Sequence, residues 1–465
     1  MLKALSRSSP PGRPALLPES GVVFAFLASA WSVLAGLVLL LLVVWRLSPA
    51  EQGYYFTFSS LLLTQQFLEL GFGVVLTQFV SHEWAALSLS GDGSVAGPAA
   101  TKARLGSLVR LGLGWYGAAS LLYFGVVGGA GYLFFRTTGA GDVSWAAPWW
   151  LLSAVAALGI LAVPLSSLLE GRGRVASNQG ILLCANVVGG LAAWTALLAG
   201  AGLFSLSLLL GARALIGLPL LLLAARPLLR LMREKGTGVS WRREFWPQQW
   251  RISLSWCAGL VMFQSFAPIT FSVQGPVAAG QVGATLQAYH AINRLSSAWL
   301  VAVQPRMGQL GAQRRFDDLK GLVAGTTRRA VVSAAILSGA TLAALTLVHA
   351  AVPAYAARFA GLVPTGVFLL ALTAMQVGNV MTAAVRFQKR EPFVLNALAG
   401  AALVAASSVI LGGRFGIDGI ALGFAAIMLA VVLPWTVRIY TREMNAFGAR
   451  ARGQSERPVA AAALQ

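Results

Sequence analysis

The chain has 465 residues, of which 57% are hydrophobic and only 11% are charged. A water-soluble globule of this composition would lack the polar residues needed to cover its surface, so the composition predicts an integral membrane protein. The net charge of +20 would suit a nucleic-acid partner only if the basic residues formed a single patch. The two cysteines, Cys184 and Cys257, lie in apolar runs and predict neither a disulfide framework nor a metal site.

Twelve apolar stretches are long enough to cross the roughly 30 Å of hydrocarbon in a bilayer. They are predicted at about residues 21–45, 54–80, 105–135, 147–169, 180–202, 205–228, 252–273, 281–304, 330–352, 362–385, 393–413 and 417–437. No small-residue cleavage site follows the first stretch, so it is expected to remain in the mature protein. The sequence predicts an all-α polytopic membrane protein with twelve transmembrane helices.

The basic residues alternate between the two sides of the predicted membrane. Most of the 35 lysines and arginines fall in one set of connections and in both terminal segments. Because an excess of Lys and Arg stays cytoplasmic, both termini are predicted to be cytoplasmic, in segments 1–20 and 441–465. The second of these is expected to be disordered. The charge therefore indicates orientation and contact with membrane lipids, and no nucleic-acid partner is expected.

The longest polar connection, residues 230–251, divides the chain into two predicted six-helix bundles, 21–229 and 252–440. Many membrane transporters consist of such repeats, with the substrate site at their interface. A weak internal repeat supports this division. At one constant offset, Pro49 pairs with Pro276, Gly53 with Gly280, and Gln66 with Asn293.

Polar residues within the spans are few, and they form two stripes at helical spacing. The second span contains Gln65, Gln66 and Glu69, and the eighth contains Tyr289, His290, Asn293 and Arg294. One interpretation is a water-filled cavity between the halves, in which Arg294 binds an anionic group and Glu69 takes part in ion coupling. The other is that Glu69 and Arg294 pair with each other or with backbone and only hold helices together.

The remaining polar residues within the spans favour structural roles. Arg213 is interpreted as snorkelling from the outer end of the sixth span to the membrane surface. Gln264, Gln376 and Asn379 are expected mainly to form hydrogen bonds between helices. The acidic residues and the three histidines show no paired catalytic or metal-ligand spacing, so neither an enzyme nor a cofactor is predicted.

Several short motifs resemble a known family. They are Leu47–Tyr55, Glu69-Leu70-Gly71, Gln78–Glu83, Phe245–Arg251 and Gln274–Gln281. These segments resemble bacterial polysaccharide-biosynthesis proteins of the O-antigen flippase (Wzx-like) type, within the multidrug/oligosaccharidyl-lipid/polysaccharide exporter superfamily. The resemblance implies a MATE-like arrangement of two bundles around a central cavity.

The resemblance also implies a function and a location. The cargo would be an undecaprenyl-diphosphate-linked oligosaccharide, moved across the bacterial inner membrane by alternating access, with a glycan polymerase or other assembly proteins as partners. Tyr289, His290, Asn293, Arg294, Gln65 and Gln66 are the candidate substrate-binding residues, and Glu69 is the candidate ion-coupling residue. Two alternatives stay open: a cation-coupled multidrug or metabolite exporter of the same fold, and a membrane enzyme of envelope glycan assembly.

Overall fold

The computed structural model describes residues 20–69, 71–91, 94–139, 143–234, 259, 261–386 and 391–462. In order, the helices of these residues are α1 Ser20–Arg46, α2 Pro49–Leu62, α3 Gln65–Glu69, α4 Phe72–Trp84, α5 Ala99–Leu122, α6 Gly128–Thr138, α7 Ala146–Ile160, α8 Ala162–Gly171, α9 Val175–Leu198, α10 Phe204–Arg230, α11 Phe266–Gln274, α12 Pro276–Ala312, α13 Phe316–Ala351, α14 Pro353–Ala356, α15 Leu362–Arg386, α16 Val394–Ile427 and α17 Leu433–Ala462. A two-stranded antiparallel hairpin pairs β1 Ser88–Leu89 with β2 Val95–Ala96. The described residues are therefore almost entirely helical, as the composition predicts.

Seven of the helical segments are long and apolar enough to cross a membrane, and up to eight if one bent pair counts as a single span. Helix α12 has 37 residues but is not among them, because its many polar residues reduce its hydropathy. Residues 252–258 and 260 of the predicted seventh span lie outside the described residues. The structure thus supports a multi-pass membrane protein, while the count of twelve spans and the cytoplasmic location of both termini stay predictions.

The predicted second span is not one continuous helix. It begins with a capping box, in which the Ser48 amide donates to Glu51 Oε2 at 2.8 Å and the Glu51 amide donates to Ser48 Oγ at 3.2 Å. The helix then breaks, and the segment from Pro49 to Glu69 is bent by 45° relative to α4. Gly71 supplies a left-handed conformation (φ 64°) at this bend, which residues with a Cβ rarely adopt.

Two features of the last helices bear on the sequence prediction. Helix α16 contains a non-helical residue, Gly416 (φ 65°, ψ −147°), which divides it at the boundary between the eleventh and twelfth predicted spans. Helix α17 extends to Ala462, within the segment 441–465, and the disorder expected for this segment stays a prediction. The Ala- and Arg-rich composition of this segment explains the helix, because both residues have high helix propensity.

The described residues form two compact units, and the first contains residues 20–51 together with residues from Leu61 to Glu234. Helix α10 packs along α9 and α7, α1 packs on α9, and α4 packs on α8. The fully buried Trp149 anchors α7, and its indole donates a hydrogen bond to the Gly128 carbonyl at 2.8 Å. Small residues let these helices approach closely, as is usual in membrane bundles.

The second unit contains the described residues after Trp256 and also residues 52–60 of α2. Helix α12 packs against α11, α13 and α15, and α15 also packs against α16 and α17. Phe266, Phe368 and Phe424 are buried together at its centre, with ring centroids 5.2 to 5.7 Å apart. The polar residues of α12 therefore lie beside an aromatic core.

Within the second unit, the two copies of the weak repeat contact each other. Gly53 packs directly on the backbone carbonyl of Pro276, so closely that a Cβ at residue 53 would overlap it. Next to it, the buried Gln52 donates hydrogen bonds from Nε2 to the carbonyls of Gly280 and Arg358, each at 2.9 Å. The internal repeat of the sequence aligns Gly53 with Gly280, and the structure brings the two segments that contain these glycines into contact.

Candidate functional site

The predicted polar stripe of α12 divides into two lines with different surroundings. Tyr289 is buried in the aromatic core, where its hydroxyl donates to Met375 Sδ at 3.4 Å. Asn293, one turn later, accepts a hydrogen bond on Oδ1 from Nε2 of the buried Gln376 of α15 at 2.9 Å. This line holds α12 to α15, which is the common role of an amide within a membrane bundle.

The other line of α12 contains His290 and Arg294. His290 is half-buried, with its ring packed edge-on against that of Tyr289 at 5.4 Å. Arg294 lies one turn further along the helix and is exposed on the second unit. Of the four candidate residues on α12, Arg294 is therefore the one whose charged group is most accessible to a ligand.

Gln65, Gln66 and Glu69 all lie in the short helix α3, and all three are half-buried. These three residues, which were predicted to share one stripe of a long span, therefore occupy little more than one turn of a short helix. Glu69 lies close enough to Tyr116 of α5 to interact with it electrostatically. Among the described residues, Glu69 forms no ion pair.

A cavity of about 150 Å³, partly open to the surface, lies in the first unit between α3 and α7 to α10. Three polar side chains line it: Gln65 of α3, Asn186 of α9 and Arg213 of α10. The rest of its lining consists of Val, Ala, Leu and Gly residues. The candidate residue Gln65 thus faces a cavity within one unit, together with two residues that are not among the sequence-predicted site residues.

Arg213 is an exposed residue of α10, and its predicted snorkelling to the membrane surface stays a prediction. It comes nine residues after Phe204, at which α10 begins, so it lies about 14 Å along the helix axis. Its aliphatic stem rests on Gly189 of α9, where a Cβ would overlap Arg213 Cγ and lie 2.7 Å from the Leu209 carbonyl oxygen. The Arg213 side chain also lines the cavity. An arginine within the apolar run that follows Phe204 was the sequence signal for this site.

The charge within the described spans is cationic on balance. Arg213 and Arg294 lie within predicted spans, and Glu69 is the acid at the middle of a predicted span. In the part of the chain that the structure describes, Arg213 forms no hydrogen bond or ion pair with a protein group. Because an ionised side chain at mid-bilayer is unfavourable by at least about 2.5 kcal/mol, this balance favours an anionic ligand over a cationic one.

Comparison with protein-family models and with curated proteins finds no match. Among solved structures, the lipid II flippase MurJ in an inward closed conformation aligns with a TM-score of 0.61 and 10% identity, over 92% of this chain and 90% of that one. An inward-facing multidrug resistance MATE family transporter of the MOP superfamily aligns with a TM-score of 0.57 and 13% identity, over 93% and 97%. This chain has the fold of these transporters.

A further structure with this MATE-like fold is a MOP superfamily transporter from Pyrococcus furiosus, described as having a binding pocket of reverse polarity. It aligns with a TM-score of 0.53 and 12% identity, over 94% of this chain and 99% of that one. At these identities the likeness concerns the fold alone. The MATE-like multi-pass membrane architecture is thereby confirmed, whereas the resemblance to the Wzx-like family stays a prediction.

Proposed function

We propose that this protein is a flippase that moves an undecaprenyl-diphosphate-linked oligosaccharide from the inner to the outer leaflet of the bacterial inner membrane. The observation that carries this proposal is the cationic balance within the spans of a MATE-like fold, with Arg294 exposed on α12. In this proposal, transport proceeds by alternating access and serves the assembly of a surface polysaccharide. The partners would be a glycan polymerase and other assembly proteins.

The chemistry of a diphosphate supports a cationic binding residue. A diphosphate cannot cross hydrocarbon unless its charge is compensated, because an unpaired ion in a low-dielectric medium is highly unfavourable. A guanidinium group binds phosphate oxygens through two parallel hydrogen bonds, which a lysine cannot reproduce. Arg294 would hold the diphosphate, with His290 one turn away. The amides of Gln65 and Gln66 would bind sugar hydroxyl groups.

Two alternative functions are compared with the flippase, one by the charge within the spans and the other by the fold. A cation-coupled multidrug or metabolite exporter shares the fold, and the likeness to a multidrug resistance MATE transporter favours it. Such an exporter is expected to have more than one carboxylate within the membrane, whereas the predicted mid-span positions include only Glu69. A membrane enzyme of glycan assembly is less consistent with this fold, because the solved structures that share it are transporters and flippases.

Deletion of the gene, followed by leaflet-resolved analysis of lipid-linked sugars, tests the proposed function. We expect lipid-linked oligosaccharide to build up on the cytoplasmic face and to return to its normal distribution when the gene is restored. Unchanged lipid-linked sugars with a new sensitivity to drugs would contradict the flippase and support the exporter.

Substitution of Glu69 tests whether a proton drives transport. If Glu69 carries the proton, Glu69→Gln abolishes the pH dependence of transport, because the amide cannot be protonated in this range. The measurement is the rate of translocation in proteoliposomes over a series of pH gradients. Asp418→Asn is the matched control, since Asp418 is an exposed acid on α16. A Glu69→Gln protein whose transport keeps its pH dependence would exclude Glu69 as the proton carrier.

A further inference from the structure

The cavity within the first unit has the properties of an ion-binding site, and Gln65 is the one proposed substrate-binding residue among its lining residues. All of its lining residues belong to the first unit, whereas Arg294 belongs to the second. A cavity needs roughly 10–15 Å³ for each water that it holds, so about 150 Å³ accommodates a small ion with several waters. The cavity therefore has room for a hydrated ion.

The polar groups of the cavity match an anion. Arg213 contributes a guanidinium group, which has five N–H donors and no acceptor. Gln65 and Asn186 each contribute an amide group, and their side chains form no hydrogen bond with another described residue. No Asp or Glu is among the lining residues. A cation in this cavity would face the charge of Arg213 with no carboxylate to offset it.

The single charge of Arg213 limits how much negative charge a ligand can bring into the cavity. One guanidinium group balances one negative charge, and the apolar remainder of the lining offers no second cation. A diphosphate would bring additional negative charge into an apolar environment, which is strongly unfavourable. A monovalent ion of halide size fits both the volume and the charge.

We infer that the cavity lined by Gln65, Asn186 and Arg213 binds a small inorganic anion of the halide type. The bound anion compensates the charge of Arg213 inside the first unit. It holds α3, α9 and α10 together by accepting hydrogen bonds from one residue of each helix. The aliphatic stem of Arg213 packs on Gly189, and Arg213 is exposed, so an anion can reach its guanidinium group.

Thermal unfolding of the purified full-length protein tests this inference without any lipid-linked substrate. At constant ionic strength, replacement of gluconate by chloride is expected to raise the unfolding temperature of the native protein, because a ligand that binds only the folded state stabilises it. Arg213→Gln should weaken the apparent chloride affinity by about tenfold or more. Arg294→Gln should retain the native chloride response. Equal chloride responses in the native and Arg213→Gln proteins would overturn the inference.

A crystallographic measurement keeps the test independent of whether the Arg213 variant folds. Crystals of the native protein grown in bromide should show an anomalous peak within hydrogen-bond distance of Arg213, and Asn186→Ala should reduce its occupancy. A cavity without a bromide peak, or a stabilisation by inorganic phosphate that halides do not produce, would contradict the inference. The unfolding and bromide experiments involve no oligosaccharide, so a negative result would contradict the anion site without contradicting the proposed flippase function. The leaflet assay can likewise give a negative result that does not bear on the anion site.

Discussion

Replacement of Gly53 by alanine is expected to destabilise the second unit by about 3 kcal/mol, at the upper end of the usual range for overpacking. The added methyl group would overlap the Pro276 carbonyl oxygen and lie 2.9 Å from Pro276 Cα. Backbone atoms cannot rotate away as a side chain can, so the start of α2 would have to move off α12. That movement would also disturb the hydrogen bonds of Gln52 to Gly280 and Arg358.

The measurement is the unfolding temperature and the monodisperse fraction of the purified protein in detergent. Gly117→Ala is the matched control, because Gly117 lies within α5 and a Cβ there would have no neighbour within 4 Å. The control is expected to be neutral or slightly stabilising, since alanine has a higher helix propensity than glycine. If the two variants unfolded alike, the close packing of Gly53 on Pro276 would not contribute to stability.

Arg294→Ala is expected to reduce translocation of the lipid-linked oligosaccharide by about tenfold to a hundredfold. A charge-assisted hydrogen bond contributes roughly 1.5–3 kcal/mol, and each 1.4 kcal/mol corresponds to a factor of ten. The variant should fold normally, because Arg294 is exposed on its unit and the buried contacts of α12 are made by Tyr289 and Asn293. Arg294→Lys should retain part of the rate, since it keeps the charge but loses the paired donors.

The rate of translocation is measured in proteoliposomes with leaflet-resolved detection, beside the unfolding temperature of each variant. Arg306→Ala is the control, because Arg306 is also an exposed arginine of α12 and lies three turns further along the helix. Its transport rate should match that of the native protein. Normal transport by Arg294→Ala would remove Arg294 from the substrate site.

Local sequence patterns predicted the helices well but not where they break. Apolar length identifies a span, and helices cover most of the predicted length at eleven of the twelve positions. In the seventh, helix α11 begins at Phe266, and residues 252–258 and 260 lie outside the described residues. The break after Leu62 and the left-handed Gly71 are not visible in hydropathy, because a bent span is as apolar as a straight one. Gly416, in contrast, lies at a boundary that the charge and hydropathy patterns already indicated.

Helical periodicity predicted which polar residues share a face, but not what that face contacts. The i, i+4 pairs Tyr289 with Asn293 and His290 with Arg294 lie on two separate lines, as their spacing requires. Only the tertiary structure shows that Tyr289 is buried and that Asn293 is hydrogen-bonded to Gln376 of the neighbouring helix α15. In the same way, the sequence placed Arg213 in the sixth span but did not show that it lines a cavity with Gln65 and Asn186.

The sequence by itself determined that this protein is a multi-pass, helical membrane protein, because composition and span length depend on the bilayer and not on how helices pack. It also predicted the orientation from the distribution of basic residues. The tertiary structure alone brought Gln65, Asn186 and Arg213 to one cavity, and Gly53 against Pro276. These residues are far apart in the chain, and their contacts depend on the approach of helices at small residues, which no single helix encodes.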